Sequence, residues 1–263
     1  MKISIITPVK DRSNFMQGCL DSVFSQSYQN YEHLIIDGMS IDGTLEIIKK
    51  NQLESNKNIK FISEVDESVG EAWNKGLSMA DGDVIGWLGA DDRFSDKDVL
   101  KTVAEYFNKN LDSFVVYGGC NFINEKGKMT GSSEEYNFNF KKLLNNCNYI
   151  PATSLFFRKS VVQKVGMYDS YGNDFDYILR IANDYKINVI PRVLSNFILA
   201  TDSETGDLRK YVRVLKLDWV VSKKYGGYIF NSYHRRYLIY SLLFFFGLGN
   251  FLNRIKNIKR GNY

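Results

Sequence analysis

Proline is scarce in this chain, three residues in 263. With no low-complexity tract either, a disordered or linker-like protein is excluded. Cysteine is equally rare. Cys19, Cys120 and Cys147 are odd in number and show no metal-ligand spacing, which points to reduced, structural thiols in a cytosolic protein. No repeat occurs at a solenoid period. The opening MKISIITPVKDR lacks the features of a secretion signal: its apolar stretch is short, and charge follows where a small-residue cleavage site belongs. The glycine-rich phosphate cradles are missing as well. There is no P-loop, and no G-x-G-x-x-G follows the first strand; Gly247-Leu-Gly249 lacks both the third glycine and a βαβ setting.

What is present is a chain 44% hydrophobic and 24% charged, long enough for one large globular unit with an appendage. The net charge of +4 is unevenly spread. Residues 203–263 hold twelve Lys/Arg against three Asp/Glu, a net +9, which leaves −5 for residues 1–202. A basic tail on a mildly acidic body suggests an anionic partner for the tail.

The order of elements is alternating. ISII (residues 3–6, ended by Thr7-Pro8), YEHLIIDG (31–38), KFIS (60–63), DVIGWLGADD (83–92) and FVVYGG (114–119) read as strands. Between them, apolar residues recur at helical spacing from Phe15 to Phe24, after Gly43, through Ala72 and Leu77, and after Ser95, which reads as the cap of a helix carrying Val99, Leu100, Val103 and Phe107. Such alternation predicts βαβ units with right-handed crossovers. The fourth strand is apolar without alternation, as expected where both faces are covered. The fold class is therefore α/β: a mostly parallel twisted sheet flanked by helices, then a smaller antiparallel region from Asn121 to about Leu199, then a helical tail.

Ligands of open α/β sheets sit outside the carboxyl ends of the strands. Three of those ends bear acids: Asp37 after strand two, Glu64 and Asp66 after strand three, Asp91-Asp92 after strand four. Carboxylates cannot bind phosphate alone. A hard divalent cation, Mg2+ or Mn2+, bridges them, taking one or two carboxylates plus phosphate oxygens. The competing reading of Asp91-Asp92 is a solvated turn, since Asp is a common turn residue; several acidic strand ends in one crevice favour the metal.

Taken together, SIITPVKDR, QNYEHLIIDGMSIDGT, EVDESVGEAWNKG, GDVIGWLGADD and VGMYDSYGNDFDYILRIA, in this order and spacing, resemble the inverting family-2 glycosyltransferases of the GT-A fold, from Lys2 to about Leu199. The resemblance implies metal-dependent transfer of a hexosyl or N-acetylhexosaminyl group from a nucleoside-diphosphate sugar, UDP-type favoured, to a glycan or lipid-linked acceptor in bacterial surface-polysaccharide synthesis. It implies a catalytic unit over 1–202, with a nucleotide-sugar half (1–120) and an acceptor half (121–202), followed by the tail (203–263). Thr7 and Pro8 would line the base pocket, and Asp37 would accept from the nucleobase. Asp66 and Lys75 would lie near the nucleotide. Asp92 would be the principal metal ligand, with Asp91 facing the ribose or sugar and counted with it at the metal. Asp174 would be the base that activates the acceptor. Two departures are visible: Asn173 stands before Asp174 where Glu is common, so Asp176 stays a rival, and ATDSETGD (200–207) replaces a Gly-Gly-x-Ser-like segment.

Each residue also has an ordinary structural reading. Asp37 or Asp42 can cap the loop DGMSIDG, Asp174 can be the N-cap of the helix FDYILRIAND, and Asp176 suits the dipole of its first turn. Lys75 alone reads as a solvated helix residue, and Trp73 and Trp87 as core. In the tail, YLIYSLLFFFGLGNFL (237–252) is the most apolar run, preceded by His234, Arg235 and Arg236 and followed by Arg254, Lys256, Lys259 and Arg260. Sixteen helical residues span about 24 Å, short of the roughly 30 Å hydrocarbon core. The segment therefore either packs on the catalytic unit or lies on an anionic membrane surface, the latter favoured by its basic flanks. The expected location is cytoplasmic, peripheral on the inner face of the cell membrane. A nucleotidylyltransferase is disfavoured because TPVKDRSNFM has no glycine until Gly18. A non-catalytic glycan-binding scaffold is disfavoured by the intact acidic set. No nucleic-acid partner is expected, since the Phe244–Phe246 cluster suits lipid better than base stacking.

Overall fold

The computed structural model describes residues 1–54, 58–169, 172–200 and 208–248. Strand β1 (Ile3–Val9) runs on through Thr7-Pro8 rather than ending there. Pro8 has no N–H to offer, and its neighbour β4 (Val84–Trp87) has already ended, their last pair being Ile6 with Trp87. On its other side β1 pairs in parallel with β2 (Tyr31–Asp37), which pairs in parallel with β3 (Ile59–Ser63). Helices α1 (Ser13–Phe24), α2 (Thr44–Glu54) and α3 (Val69–Met79) make the crossovers, so the four strands β3-β2-β1-β4 form the parallel half expected from the alternation.

Beyond β4 the sheet becomes mixed. After the short β5 (Arg93–Phe94) and α4 (Val99–Lys109) come β6 (Val115–Asn124), β7 (Met129–Ser133), α5 (Phe140–Asn145) and β8 (Leu155–Arg158). β8 inserts antiparallel between β4 and β6, and β7 pairs antiparallel with β6. After α6 (Ser160–Val165) and α7 (Asp174–Asp184), the long β9 (Ile187–Leu199) runs parallel to β6 and antiparallel to β5, which completes the order β3-β2-β1-β4-β8-β6-β9-β5. Helices α8 (Leu208–Lys224) and α9 (Ser232–Phe245) form a hairpin. The cap of α4 is Asp98, not Ser95; Ser95 instead donates to the Val193 carbonyl and ties β9 to the turn after β5.

Period-two alternation splits the core across the sheet. Ile3, Ile5, Val116 and Phe156 face α1 and α4 with Val23, Leu100 and Phe107, whereas Ile6, Val115 and Phe157 face Trp73, Leu77, Tyr177 and Ile178 of α3 and α7. Gly86 is the one interruption in β4. A Cβ there would come within 2.4 Å of the buried Phe156 ring, so the strand needs glycine for the ring to lie across it.

Candidate active site

The carboxyl ends of β1, β2, β3 and β4 open on one side, and the loops following them are cross-tied. The Asp11 amide donates to Ser40 Oγ (2.9 Å), Asp11 Oδ1 accepts from the Ile41 amide (2.8 Å), and the Arg12 amide donates to Thr44 Oγ1 (2.8 Å). Asp11 (φ 51°) and Met39 (φ 59°) are held in the left-handed region, a backbone strain that the ties sustain beside the cleft.

A polar cleft of about 230 Å³ lies there, lined by Pro8, Lys10, Arg12, Asp91 and Asp92 together with Phe197 and Ile198 from the end of β9. The two adjacent carboxylates do different work. Asp91 is paired by the Arg12 guanidinium, Nε to Oδ1 2.9 Å. Asp92 is buried, and its Oδ1 accepts from the Ile198 amide at 2.9 Å. Burial pushes the Asp92 carboxyl well above the usual range; the Ile198 bond opposes this, and the Asp91 charge adds to it. A Cβ on Gly89 would stand 2.5 Å from Asp92 Oδ2, so glycine lets that oxygen lie over the backbone.

Asp92 also borders a second cavity of about 710 Å³, largely apolar, whose walls include Trp73, Trp87, Tyr149, Phe197 and Asp174. Asp174 opens α7 but does not cap it. Asn173 is the cap, its Oδ1 accepting from the Asp176 amide at 3.0 Å, which releases Asp174 to face the cavity. Tyr168 Oη donates to Asp174 Oδ1 at 3.2 Å. Desolvation pushes the Asp174 carboxyl up to about 6, the Tyr168 bond pulling the other way. Its rival Asp176 is 2% exposed and committed to Arg180 Nε (2.9 Å), Lys224 Nζ (2.9 Å) and Tyr225 Oη (3.2 Å). It does not line the cavity.

The remaining sequence-derived residues fall around the cleft less evenly. Pro8 lines it. Thr7 does not: its side chain points into the sheet, where Oγ1 shares a 2.8 Å hydrogen bond with His33 Nε2, burial holding that imidazole neutral by pushing it down to about 3. Asp37, fully buried, ties its own loop to the end of β3, accepting from the Ser40 amide (3.3 Å) and from Ser63 Oγ (2.6 Å). Asp42 binds the amides of Ser13 and Thr44 and starts α2. Lys75 is not a solvated lysine. It joins Asp66 (2.6 Å), Glu64 (3.0 Å) and Glu71 (3.2 Å), and the Asp66 bond is the largest of the influences raising its pKa. Trp73 and Trp87 are buried as expected, and both also wall the large cavity.

Arg12 ends the motif SIITPVKDR, and only the folded loop shows that it answers Asp91. The β9 end (Phe197, Ile198, Leu199) gave no signal in sequence because it reaches the site through the sheet order alone. The departing segment 200–207 lies, apart from Ala200, outside the described residues, as do Arg254, Lys256, Lys259 and Arg260.

Residues 4–166 match the model of the family described as glycosyl transferase family 2. The chain belongs to that family. As a family-2 glycosyltransferase it is 27% identical over 198 residues to a PGL/p-HBAD biosynthesis glycosyltransferase of Mycobacterium tuberculosis, covering 75% of this chain and 72% of that one. It is 29% identical over 215 residues to a dolichyl N-acetyl-alpha-D-glucosaminyl phosphate 3-beta-D-2,3-diacetamido-2,3-dideoxy-beta-D-glucuronosyltransferase of Methanococcus voltae (74% and 66%). Among solved structures, the mannosyltransferase PcManGT of Pyrobaculum calidifontis, in complex with GDP-Man and Mn2+, superposes with a TM-score of 0.66 at 14% identity, over 90% of this chain and 69% of that chain. S. aureus TarS 1-349 in complex with UDP-GlcNAc gives 0.63 at 16% (84% and 66%). The chain thus spans just under two thirds of TarS 1-349. These neighbours establish the GT-A-type fold. The family match stops at residue 166, before Asp174.

Proposed function

We propose that this glycosyltransferase transfers a sugar with inversion from a nucleoside diphosphate, UDP-type favoured, to a hydroxyl of a glycan or lipid-linked acceptor in surface-polysaccharide synthesis. One observation carries the reading: Asp92, at the polar cleft, and Asp174 border the same 710 Å³ cavity. A sugar in that cavity would meet a diphosphate held at the cleft on one hand and an acceptor held at Asp174 on the other. That arrangement suits a single in-line displacement and needs no covalent intermediate. Support for a UDP-type donor comes from the UDP-GlcNAc held by TarS, while PcManGT holds GDP-Man.

Asp174 takes the proton of the acceptor hydroxyl. Tyr168 occupies Oδ1 and orients the carboxylate, leaving Oδ2 for the substrate. The largely apolar walls lower the polarity around the reacting centre. Lys10 and Arg12 supply positive charge along the cleft where the diphosphate gathers negative charge. Asp92 fits a divalent cation: it is buried beside a second carboxylate and, among the described residues, forms no salt bridge of its own, a state that a metal relieves. Among the described residues there is no cluster of three or more potential ligands, so phosphate oxygens and water would complete the set. Mn2+ or Mg2+, held by Asp92 with Asp91, would act as a Lewis acid on the diphosphate.

The test is transfer from UDP-, GDP- and dTDP-sugars with and without Mn2+, alongside thermal shifts. Asp92→Ala is expected to abolish metal-dependent transfer and the metal-dependent shift while remaining folded. Asp174→Asn is expected to keep the donor shift and lose transfer by about 10²–10⁴-fold. Full activity in a folded Asp174→Asn protein overturns the reading.

The tail supports peripheral membrane attachment. No helix among the described residues is long and apolar enough to cross a membrane. In α9 and the turn after it, Leu238, Ile239, Leu242, Phe245 and Phe246 are exposed, with Arg235 and Arg236 at the start of the helix. The opposite face packs on α8, where Trp219 stacks on His234 at 4.2 Å. An apolar face with basic neighbours matches an anionic lipid surface.

A further inference from the structure

Helix α8 lies outside the family match, yet it fastens the first turn of α7 at two points. At one, Lys224 and Tyr225 hold Asp176 Oδ1. At the other, Asp218 Oδ1 accepts from Asn173 Nδ2 at 3.4 Å. The second is the informative one. Capping fixes which way the Asn173 amide faces: its oxygen takes the Asp176 amide, so its NH2 must turn toward α8. An apolar residue at 218 would leave that donor facing a side chain that cannot accept.

Asp218 is itself 9% exposed and forms no salt bridge among the described residues. Arg180 of α7 and Lys224 of α8 pair with Asp176 instead. A buried acid without a cation costs stability, and packing alone gives no reason to keep one. Burial, against the Asn173 bond and with the charge of nearby Asp174, pushes Asp218 up to about 7.

We propose that Asp218 is a positioning residue for sugar transfer: by holding the Asn173 amide it fixes the start of α7, and with it the carboxylate of Asp174, so that α8 is a working part of the acceptor site. This rests on Asp174 being the base.

The experiment measures kcat and donor KM in the full chain for Asp218→Leu, which keeps the branching in a larger side chain but removes the acceptor, and for Asp218→Asn, which keeps both the size and an acceptor oxygen. Asp218→Leu is expected to lower kcat about ten- to a hundredfold with donor KM unchanged, because displacing a catalytic group costs rate rather than donor affinity. Asp218→Asn is expected to restore most of that loss. Asn173→Ser keeps a capping oxygen but lacks the NH2, and is expected to match Asp218→Leu; it also carries the test should Asp218→Leu not fold. Combining Asn173→Ser with Asp218→Asn is expected to add nothing further. Wild-type kcat in Asp218→Leu or Asn173→Ser overturns the proposal, as does an equal loss in Asp218→Asn and Asp218→Leu. If Asp174→Asn is inactive while these variants are normal, only the positioning role falls; full activity in Asp174→Asn removes the base reading itself.

Discussion

In the proposed reaction, Asp174 and Tyr168 make the chemistry of the acceptor side a matter of two oxygen atoms. A general base works only when deprotonated, and burial holds Asp174 at about 6. Transfer is therefore expected to be constant above that value and to fall as pH drops through about 6 with the loss of one ionisation. Tyr168 donates to the charged form, which lowers the pKa of the carboxyl; Tyr168→Phe removes the bond while keeping the ring stacked 4.3 Å from Tyr177. The acid limb of the kcat–pH profile is expected to move to higher pH in that variant. An unmoved limb would mean that another group sets it. Much of this pair was unreadable beforehand. Asp174 was picked out by resemblance, but its freedom comes from Asn173 taking the cap, a choice between neighbouring residues that only backbone geometry makes. Thr7, by contrast, is expected at the pocket by resemblance but is fully buried in β1, its Oγ1 engaged by His33 of the neighbouring strand, while Pro8 lines the cleft.

Among the elements, β4 shows most clearly how a local sequence serves a distant one. VIGW reads as a strand covered on both faces, and it is. Its glycine is explained only by β8, whose Phe156 ring fills the missing Cβ position. Gly86→Ala is expected to lower stability by about 1–3 kcal/mol through overpacking, measured by denaturant titration. A change below about 0.5 kcal/mol would show that the ring moves aside freely. Helix α4 is the opposite lesson: its apolar spacing was legible, its cap was not, since Ser95 is drawn off to β9 and Asp98 takes the N-cap position.

For the molecule as a whole, the uneven charge of the chain maps onto its architecture. The acids gather where the parallel strands end, and the basic α8–α9 hairpin presents an exposed apolar face. Full-length protein is expected to co-sediment with vesicles containing anionic lipid and to do so less with neutral ones. Phe245→Ser combined with Phe246→Ser is expected to reduce the bound fraction severalfold while leaving the melting temperature in place, since both side chains are exposed. Unchanged sedimentation in the double variant would return the hairpin to a purely packing role.

By itself the sequence determined the parallel half of the sheet, the family, and the acidic strand ends, because these follow from hydrophobic period and from residues a few positions apart. Tertiary structure alone decided which group answers each acid. Arg12 reaches Asp91 across two loops, Ile198 reaches Asp92 from the last strand, and Asp218 reaches Asn173 from a helix beyond the family match. Those pairings are 79, 106 and 45 residues apart in the chain, and no local pattern encodes a contact that exists only once the sheet has brought its ends together.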